Sequence, residues 1–360
     1  MLTIPLIQIG FGGVGRAVVE RVLDARDEFE WRMGLEFEYV ALCDSAGAVI
    51  DQNGLSPGTL RRLLEHKRQG RSLAESEVGY RHEGLLDIVD LAGSPEAIVI
   101  DVTASDDTVP ALQLALDRGY AVVLANKKPL AGPIEVFREF TGSGRLRYEA
   151  TVGAGVPVIA TLQEALLASH DTVHHIEGCF SGTLGYLTTG LEQGVAFSQL
   201  VGQAHAMGYT EPDPRDDLGG MDVARKALIL GRTLGWPLEL EHVEVEPLYP
   251  AELGEGSVED FMNAIETLDE SYRQRVQAAR EQGSVLRYVA SLQGSEARVG
   301  LQTVPQDSPL GRLQGTDNLI TFHTEVYNET PLVLQGRGAG VHGTAAGVVA
   351  DIVALARCRK

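Results

Sequence analysis

The sequence predicts an α/β chain, a Rossmann-like doubly wound parallel sheet followed by a second domain of mixed α+β character. Three observations carry that expectation. The stretch LIQIGFGGVGRAVV passes from an apolar run through glycines into helical spacing. Further apolar runs recur at 39–43, 97–102 and 121–125, with helical patterning between them such as Val109 to Leu116. After Tyr148 the alternation gives way to GCFSGTLGYLTTGL, EVEPLYP, SVLRYVASL, EARVGLQTVP and NLITFHTEVY, which hold several strand-like pieces with helices between. Alternating β and α segments imply a parallel sheet covered by helices, whereas clustered strands imply a separate mixed domain.

The first unit of that pattern is the most informative. Leu6 to Ile9 read as a short buried strand, and Val18, Val19, Val22 and Leu23 mark a helix packed on a sheet. Between them lies Gly10-Phe11-Gly12-Gly13-Val14-Gly15, a G-x-G-x-x-G turn in the strand-turn-helix context that a dinucleotide site requires. Gly10 permits the tight turn, Gly12 lets backbone N–H groups approach a pyrophosphate, and Gly15 lets the helix pack on the strand. A purely structural turn is the competing reading. The strands end in polar clusters, Asp44-Ser45, Thr103-Ala104-Ser105-Asp106 and Asn126-Lys127-Lys128, which should line one cleft outside the carboxyl edge of the sheet.

Asp44 bears on cofactor choice between NAD and NADP. A carboxylate at the end of the second strand can accept from the adenine ribose hydroxyls and repel a 2′-phosphate, which favours NAD. It lies 29 residues after Gly15 because DEFEWRMGLEFE lengthens the connection, beyond the usual spacing of about 20. Arg61 or Arg62 could reach a phosphate instead. The rest of 52–83 reads as a solvated helix and loop. At the other end, QGRGAGVHGTAAGVVADIVALA is a glycine turn feeding a helix with Thr344 as its N-cap, and this helix can return to the first domain. The boundaries are therefore 1–148 for the dinucleotide-binding domain, rejoined by about 331–360, and 149–330 for the second.

Composition narrows the function. The 360 residues, 44% hydrophobic with 41 glycines, suit a two-domain enzyme, and 30 basic against 50 acidic residues give −20, which disfavours nucleic acid and anionic membranes. Cys43, Cys179 and Cys358 are scattered, without a C-x-x-C pair, so neither a disulfide framework nor a zinc site is expected. No secretory leader or 18-residue apolar run is seen, and the expected location is cytoplasmic.

Several side chains suggest chemistry. Asp222 and Lys226 in MDVARKALIL share a helix face, as a surface ion pair or as part of a site. Just before them TEPDPRDDLGG places Glu211, Asp213, Asp216 and Asp217 in a loop that could bind an ammonium group, and Tyr209 is either a site residue or a core aromatic. Lys127 projects from a strand end, where burial and the like charge of Lys128 would disfavour its protonated form and suit it to accept a proton. In Glu149-Ala-Thr-Val-Gly-Ala-Gly-Val-Pro, inward-turned carbonyls with the Glu149 carboxylate could cage a hard cation; a plain turn before a helix opened by Pro157 is the alternative.

Three stretches, ANKKPLAG, YEATVGAGVPVI and GYTEPDPRDDLGGMDVARKALILGR, with GFGGVG before and GRGAG after, make the chain resemble homoserine dehydrogenase over nearly its whole length. The resemblance implies interconversion of L-homoserine and L-aspartate 4-semialdehyde with NAD(P), a second domain for dimerisation and catalysis, and a homodimer. It assigns Lys127 and Lys226 to catalysis, with either as proton acceptor, and Glu211, Asp222, Asp217, Tyr209 and Thr183 to the substrate. It puts Lys127, Thr103 and Gly338, Ala339 and Gly340 near the cofactor, and Glu149, Val152, Ala154 and Val156 around a monovalent cation, Na or K. Homoserine would then lie between the nicotinamide and the Asp222/Lys226 helix. Only 16 residues follow Thr344, so inhibition by threonine through an appended regulatory domain is not expected. Two other readings stay open: another amino-acid dehydrogenase, such as one acting on aspartate, would lack the acidic loop followed by Asp-x-x-x-Lys, and a non-catalytic NAD(P)-binding sensor would need neither lysine nor loop.

Overall fold

Strand β1 (Leu2–Ile9) is buried on both faces from Leu6 to Ile9, as a strand inside a helix-covered parallel sheet must be. The computed structural model describes residues 1–338 and 340–359. In its first sheet β1 is joined by β2 (Leu35–Cys43), β3 (Gly47–Ile50), β4 (Tyr80–Arg81), β5 (Ile98–Asp101), β6 (Ala121–Leu124) and β7 (Leu146–Arg147), in the order β4-β3-β2-β1-β5-β6-β7. Pairings β1–β2, β1–β5, β5–β6 and β6–β7 are parallel, while β3 and β4 add an antiparallel edge. The chain winds outward from β1 in both directions, so the switch point lies between β1 and β5 and the ligand crevice belongs at their carboxyl ends. Helix Gly13–Asp24 follows β1 and buries Val18, Val19 and Val22.

Two elements differ in part from expectation. The segment 52–83 is largely an exposed helix and loop, but helix Pro57–Arg68 buries Leu60, Leu63 and Leu64 on one side, and Leu73 is fully buried. Its apolar residues fall at i, i+3 and i+4, which forms a core-facing stripe despite the flanking basic residues. The final helix runs Val341–Arg357 with Gly340 as N-cap (φ 112°), so Thr344 lies within its first turn, its hydroxyl donating to the Gly340 carbonyl at 3.3 Å. Val348, Val349 and Ile352 of this helix share one core with Val18, Val22, Leu6 and Leu60.

The chain divides into two compact units, residues 1–155 with 340–360 and residues 156–339. Residues 149–155 thus stay with the first unit and 331–339 with the second. The second unit carries β8 (Val173–Cys179), β9 (Val243–Val245), β10 (Ser284–Gln293), β11 (Glu296–Pro305), β12 (Asp317–Thr324) and β13 (Leu332–Arg337), ordered β13-β12-β8-β10-β11-β9. All its pairings are antiparallel except β11 with β9. Helix Met221–Thr233 buries Val223, Ala224 and Ala227 through Arg232. Arg287, buried in β10, donates to the carbonyls of Leu310, Gly311 and Leu313 and to Glu192, fixing the loop between β11 and β12.

Candidate active site

The glycine turn is shaped by backbone needs. Gly10 holds φ at +100°, and a Cβ there would meet Thr103 Cγ2 at 3.0 Å. A Cβ on Gly15 would stand 2.2 Å from the Gly10 carbonyl oxygen. Gln8, a buried glutamine that sequence reading passed over, closes the turn from within. Its Nε2 donates to the carbonyls of Gly10 and Gly15, both at 3.0 Å, and its Oε1 accepts from the Tyr39 hydroxyl at 3.2 Å. The available signal was a polar residue inside the apolar run LIQI. Phe11 is buried, whereas Gly12 and Gly13 are exposed and Val14 is half-buried. Helix Gly13–Asp24 has Gly12 as N-cap, and glycine offers no capping side chain, so the first amides of this 12-residue helix are placed to receive an anion.

Asp44, expected at the adenine ribose, is already engaged within its own unit. Its Oδ1 accepts from the amides of Ala46 (3.0 Å) and Gly47 (2.8 Å), and its Oδ2 accepts from the Leu73 amide (2.9 Å) and the Lys67 ammonium. A carboxylate has about four acceptor positions, and all are filled from within the unit, leaving none for ribose hydroxyls. Burial works to raise the Asp44 pKa, but Lys67 and the three amides outweigh it and hold it below the usual carboxylate value. A folded pKa below the unfolded one means this stabilisation is full above the unfolded pKa and is lost as pH falls through the folded value. Stability measured by denaturant titration is therefore expected to decline below about pH 4, with Asp44→Asn flattening part of that slope and costing about 1–3 kcal/mol at neutral pH by leaving donors unmet.

At the ends of β5 and β6 a buried network sets the Lys127 segment. Asn126 Nδ2 lies 3.0 Å from Asp101 Oδ2 and 2.7 Å from the Ser105 carbonyl, and its Oδ1 accepts from the Lys128 amide at 3.2 Å. Burial pushes the Asp101 carboxyl above its usual value. Thr103, half-buried, donates its amide to Asp101 Oδ1 at 2.9 Å. Lys127 and Lys128 are both half-buried; Lys127 is the N-cap of helix Lys128–Ala131, and Lys128 pairs with the exposed Asp106 at 2.8 Å. The charge of Lys128 is thus met by a carboxylate instead of standing against Lys127. Asn126 belongs to the polar cluster read from the sequence, whereas Asp101, at the end of the apolar run 97–102, gave no such signal.

In the second unit the predicted substrate residues form a connected set. Lys226 Nζ contacts Asp222 Oδ2 at 2.7 Å and donates to the Phe180 carbonyl at 2.6 Å, and the lysine side chain is only 13% exposed. Thr183 donates to the Tyr209 carbonyl at 2.6 Å, and Asp217 Oδ2 accepts from the Glu211 amide at 2.8 Å. Burial raises the Asp217 pKa. Glu211 is exposed, and Tyr209 is 46% exposed, edge-on to Tyr186, so it is no core aromatic. The acidic loop is less free than its composition suggests: Arg215 grips Asp213 through two nitrogens, at 2.6–3.0 Å, and ties it to the Gly254 and Gly256 carbonyls.

The glycines before the last helix divide. A Cβ on Gly338 would lie 1.8 Å from the Asn318 side chain, so packing inside the second unit requires glycine there, and Gly340 caps the final helix in the first unit. Ala339 lies outside the described residues. Of the residues expected around a cation, Glu149 and Val152 are buried, and Ala154 takes a left-handed φ of 57°, unusual for a residue with a Cβ. The Glu149 amide donates to Asp351 at 2.8 Å, and the Val156 carbonyl, which opens the second unit, accepts from the Val158 amide at 2.8 Å.

More than half of the chain, residues 157–353, matches the family model described as homoserine dehydrogenase. The chain belongs to the homoserine dehydrogenase family. Residues 10–140 match the model described as homoserine dehydrogenase, NAD binding domain, so NAD(P) is the cofactor class of this family member. A homoserine dehydrogenase of Paracoccidioides brasiliensis is 40% identical over 71% of this chain and 73% of its own. A bifunctional aspartokinase/homoserine dehydrogenase of Haemophilus influenzae is 35% identical over 97% of this chain, which spans 42% of that relative's length. A Candida auris protein of unknown function shares the fold with a TM-score of 0.86 at 28% identity, over 99% of both chains. Among the described residues of this homoserine dehydrogenase family member, no helix is long and apolar enough to cross a membrane.

Proposed function

We propose that the chain is an NAD(P)-dependent homoserine dehydrogenase, interconverting L-homoserine and L-aspartate 4-semialdehyde in threonine and methionine biosynthesis. The observation that carries this reading is the Asp222–Lys226 pair, 2.7 Å apart, directly after the acidic loop of a chain that also carries the NAD-binding domain of the family. A bound nicotinamide supplies the hydride acceptor for carbon 4 of homoserine. The substrate ammonium is held by Glu211 and Asp217, with Tyr209, Thr183 and Asp222 shaping that subsite. Lys127 or Lys226 takes the hydroxyl proton as the carbon–hydrogen bond breaks; in reverse, the lysine ammonium polarises the aldehyde and returns the proton. The amides of Gly12 to Gly15 hold the pyrophosphate. Glu149 with the carbonyls of Val152, Ala154 and Val156 is the proposed Na or K site, and the enzyme is proposed to work as a homodimer. The free thiols of Cys43, Cys179 and Cys358 suit a reducing compartment, the cytoplasm.

The deciding experiment follows nicotinamide absorbance with L-homoserine and each cofactor in turn. Turnover with homoserine and none with aspartate supports the reading; cofactor binding without turnover of either would assign the chain to a sensor. Cofactor preference is a separate expected outcome. With the Asp44 acceptors filled and the Lys67 ammonium beside them, NADP is expected to give a kcat/KM at least equal to that of NAD. A tenfold or greater preference for NAD, about 1.4 kcal/mol, would restore the role first expected of Asp44.

A further inference from the structure

Neighbouring strands β8 and β12 bring two histidines and a glutamate together on one face of the second sheet, in a place the dehydrogenase reading does not use. His175 and Glu177 are two apart on β8 and therefore point to the same side, while His323 on β12 is the residue paired directly with His175. The two imidazoles stack with centroids 5.5 Å apart and planes 24° from parallel. His175 Nε2 lies 3.7 Å from Glu177 Oε1. One ligand atom from each of the three residues lies within 4.8 Å of the others, and all three are half-buried.

We propose that His175, Glu177 and His323 form a binding site for a borderline divalent transition-metal ion of the zinc class, stapling β8 to β12. Two imidazole nitrogens and one carboxylate oxygen select such ions over magnesium or calcium, which prefer all-oxygen sets. Ligands about 2.0–2.2 Å from a zinc-sized ion stand roughly 3–3.5 Å from each other in a tetrahedron, a small side-chain adjustment from the separations present. The fourth position falls to water, as in open three-ligand sites. Polar residues paired with the cluster are Thr321 on β12 and Ser291 and Gln293 on β10; the Ser291 hydroxyl lies 2.9 Å from His175 Nε2, a contact given up when the metal binds. Burial and the proximity of His323 lower the His175 pKa against the opposing pull of Glu177. This favours the neutral imidazole that ligates. A β-sheet fixes the spacing of all three side chains, so ordering them for a metal costs little backbone entropy.

The test uses the full chain in a Cys358→Ser background, since that thiol is exposed and could bind metal on its own. After chelator treatment, Co²⁺ is titrated and its visible d–d bands recorded, with Zn²⁺ as competitor and Mg²⁺ and Ca²⁺ as controls. The expected result is one Co²⁺ per chain, displaced by Zn²⁺ and unaffected by the two hard cations. His323→Ala and Glu177→Gln should each weaken binding by at least the roughly 10–100-fold that loss of even an outer-shell partner causes. Melting of each metal-free variant near the parent temperature establishes that the fold is kept. Absence of the bands, or full affinity in either variant, overturns the proposal, and neither readout depends on homoserine turnover.

Discussion

Lys226→Ala is expected to lower kcat for homoserine oxidation by about 10²–10⁴-fold, the range for losing a general acid or base, while the protein stays folded and binds NAD(P). Lys127→Ala is expected to behave alike. The structural alternative predicts a different magnitude: the Asp222–Lys226 pair, with Asp222 44% exposed, is an i,i+4 pair whose loss as a mere surface contact costs under about 1 kcal/mol of stability and nothing in rate. Lys128→Ala supplies the comparison. Lys128 meets the exposed Asp106, so its removal should leave kcat within about twofold of the parent, in keeping with an exposed pair. The measurement is kcat at saturating cofactor, with cofactor affinity and melting temperature determined for each variant. A lysine variant retaining more than about a tenth of parental kcat, a loss below the smallest expected for a general base, would be withdrawn from the mechanism. His342, exposed in the first turn of the final helix, would then be tested next.

The parts legible from sequence are those fixed by short-range geometry. The glycine turn was readable because strand, turn and helix are contiguous and each glycine answers a local backbone demand. Asp222 and Lys226 were readable as one helix face because 3.6 residues per turn decides it. Side chains whose partners arrive from far along the chain were not. Asp44 reads as a ribose acceptor until Lys67 and Leu73 fill it from 23 and 29 residues away. Gln8 acquires meaning only when β1 and the following helix are folded back upon each other. Asp213 shows a different failure, because its partner Arg215 stands just two residues on; counting the acids in the loop obscured the one base able to neutralise them. In 52–83 the basic residues likewise hid a leucine stripe at helical spacing, where burial and not charge decided the packing.

Gly15→Ala and Gly12→Ala should fail for opposite reasons, and the contrast tests how the turn holds a nucleotide. At Gly15 a Cβ would sit 2.2 Å from the Gly10 carbonyl oxygen and 2.8 Å from Gln8 Nε2, and the first of these is backbone that cannot rotate aside. The helix must therefore move away from β1, at an overpacking cost of about 1–3 kcal/mol, so the cofactor-free protein should melt several degrees lower. With the amides displaced by an ångström or so, cofactor affinity should also fall by roughly 10²-fold, the scale of such misplacement. Gly12 has ordinary extended geometry (φ −78°), and a Cβ there meets nothing within 4 Å. Its alanine variant should thus stay within about 0.5 kcal/mol of parental stability, as substitutions away from packed features do. Its methyl group would nevertheless occupy the exposed approach to the amides, so NAD(P) affinity should fall by about tenfold or more, or about 1.4 kcal/mol. Calorimetric titration of both cofactors against each variant, alongside thermal melts without cofactor, separates the two effects. Parental NAD(P) affinity in Gly12→Ala would mean that the pyrophosphate does not approach the backbone at Gly12, and would move the anion site toward the amides deeper in the helix.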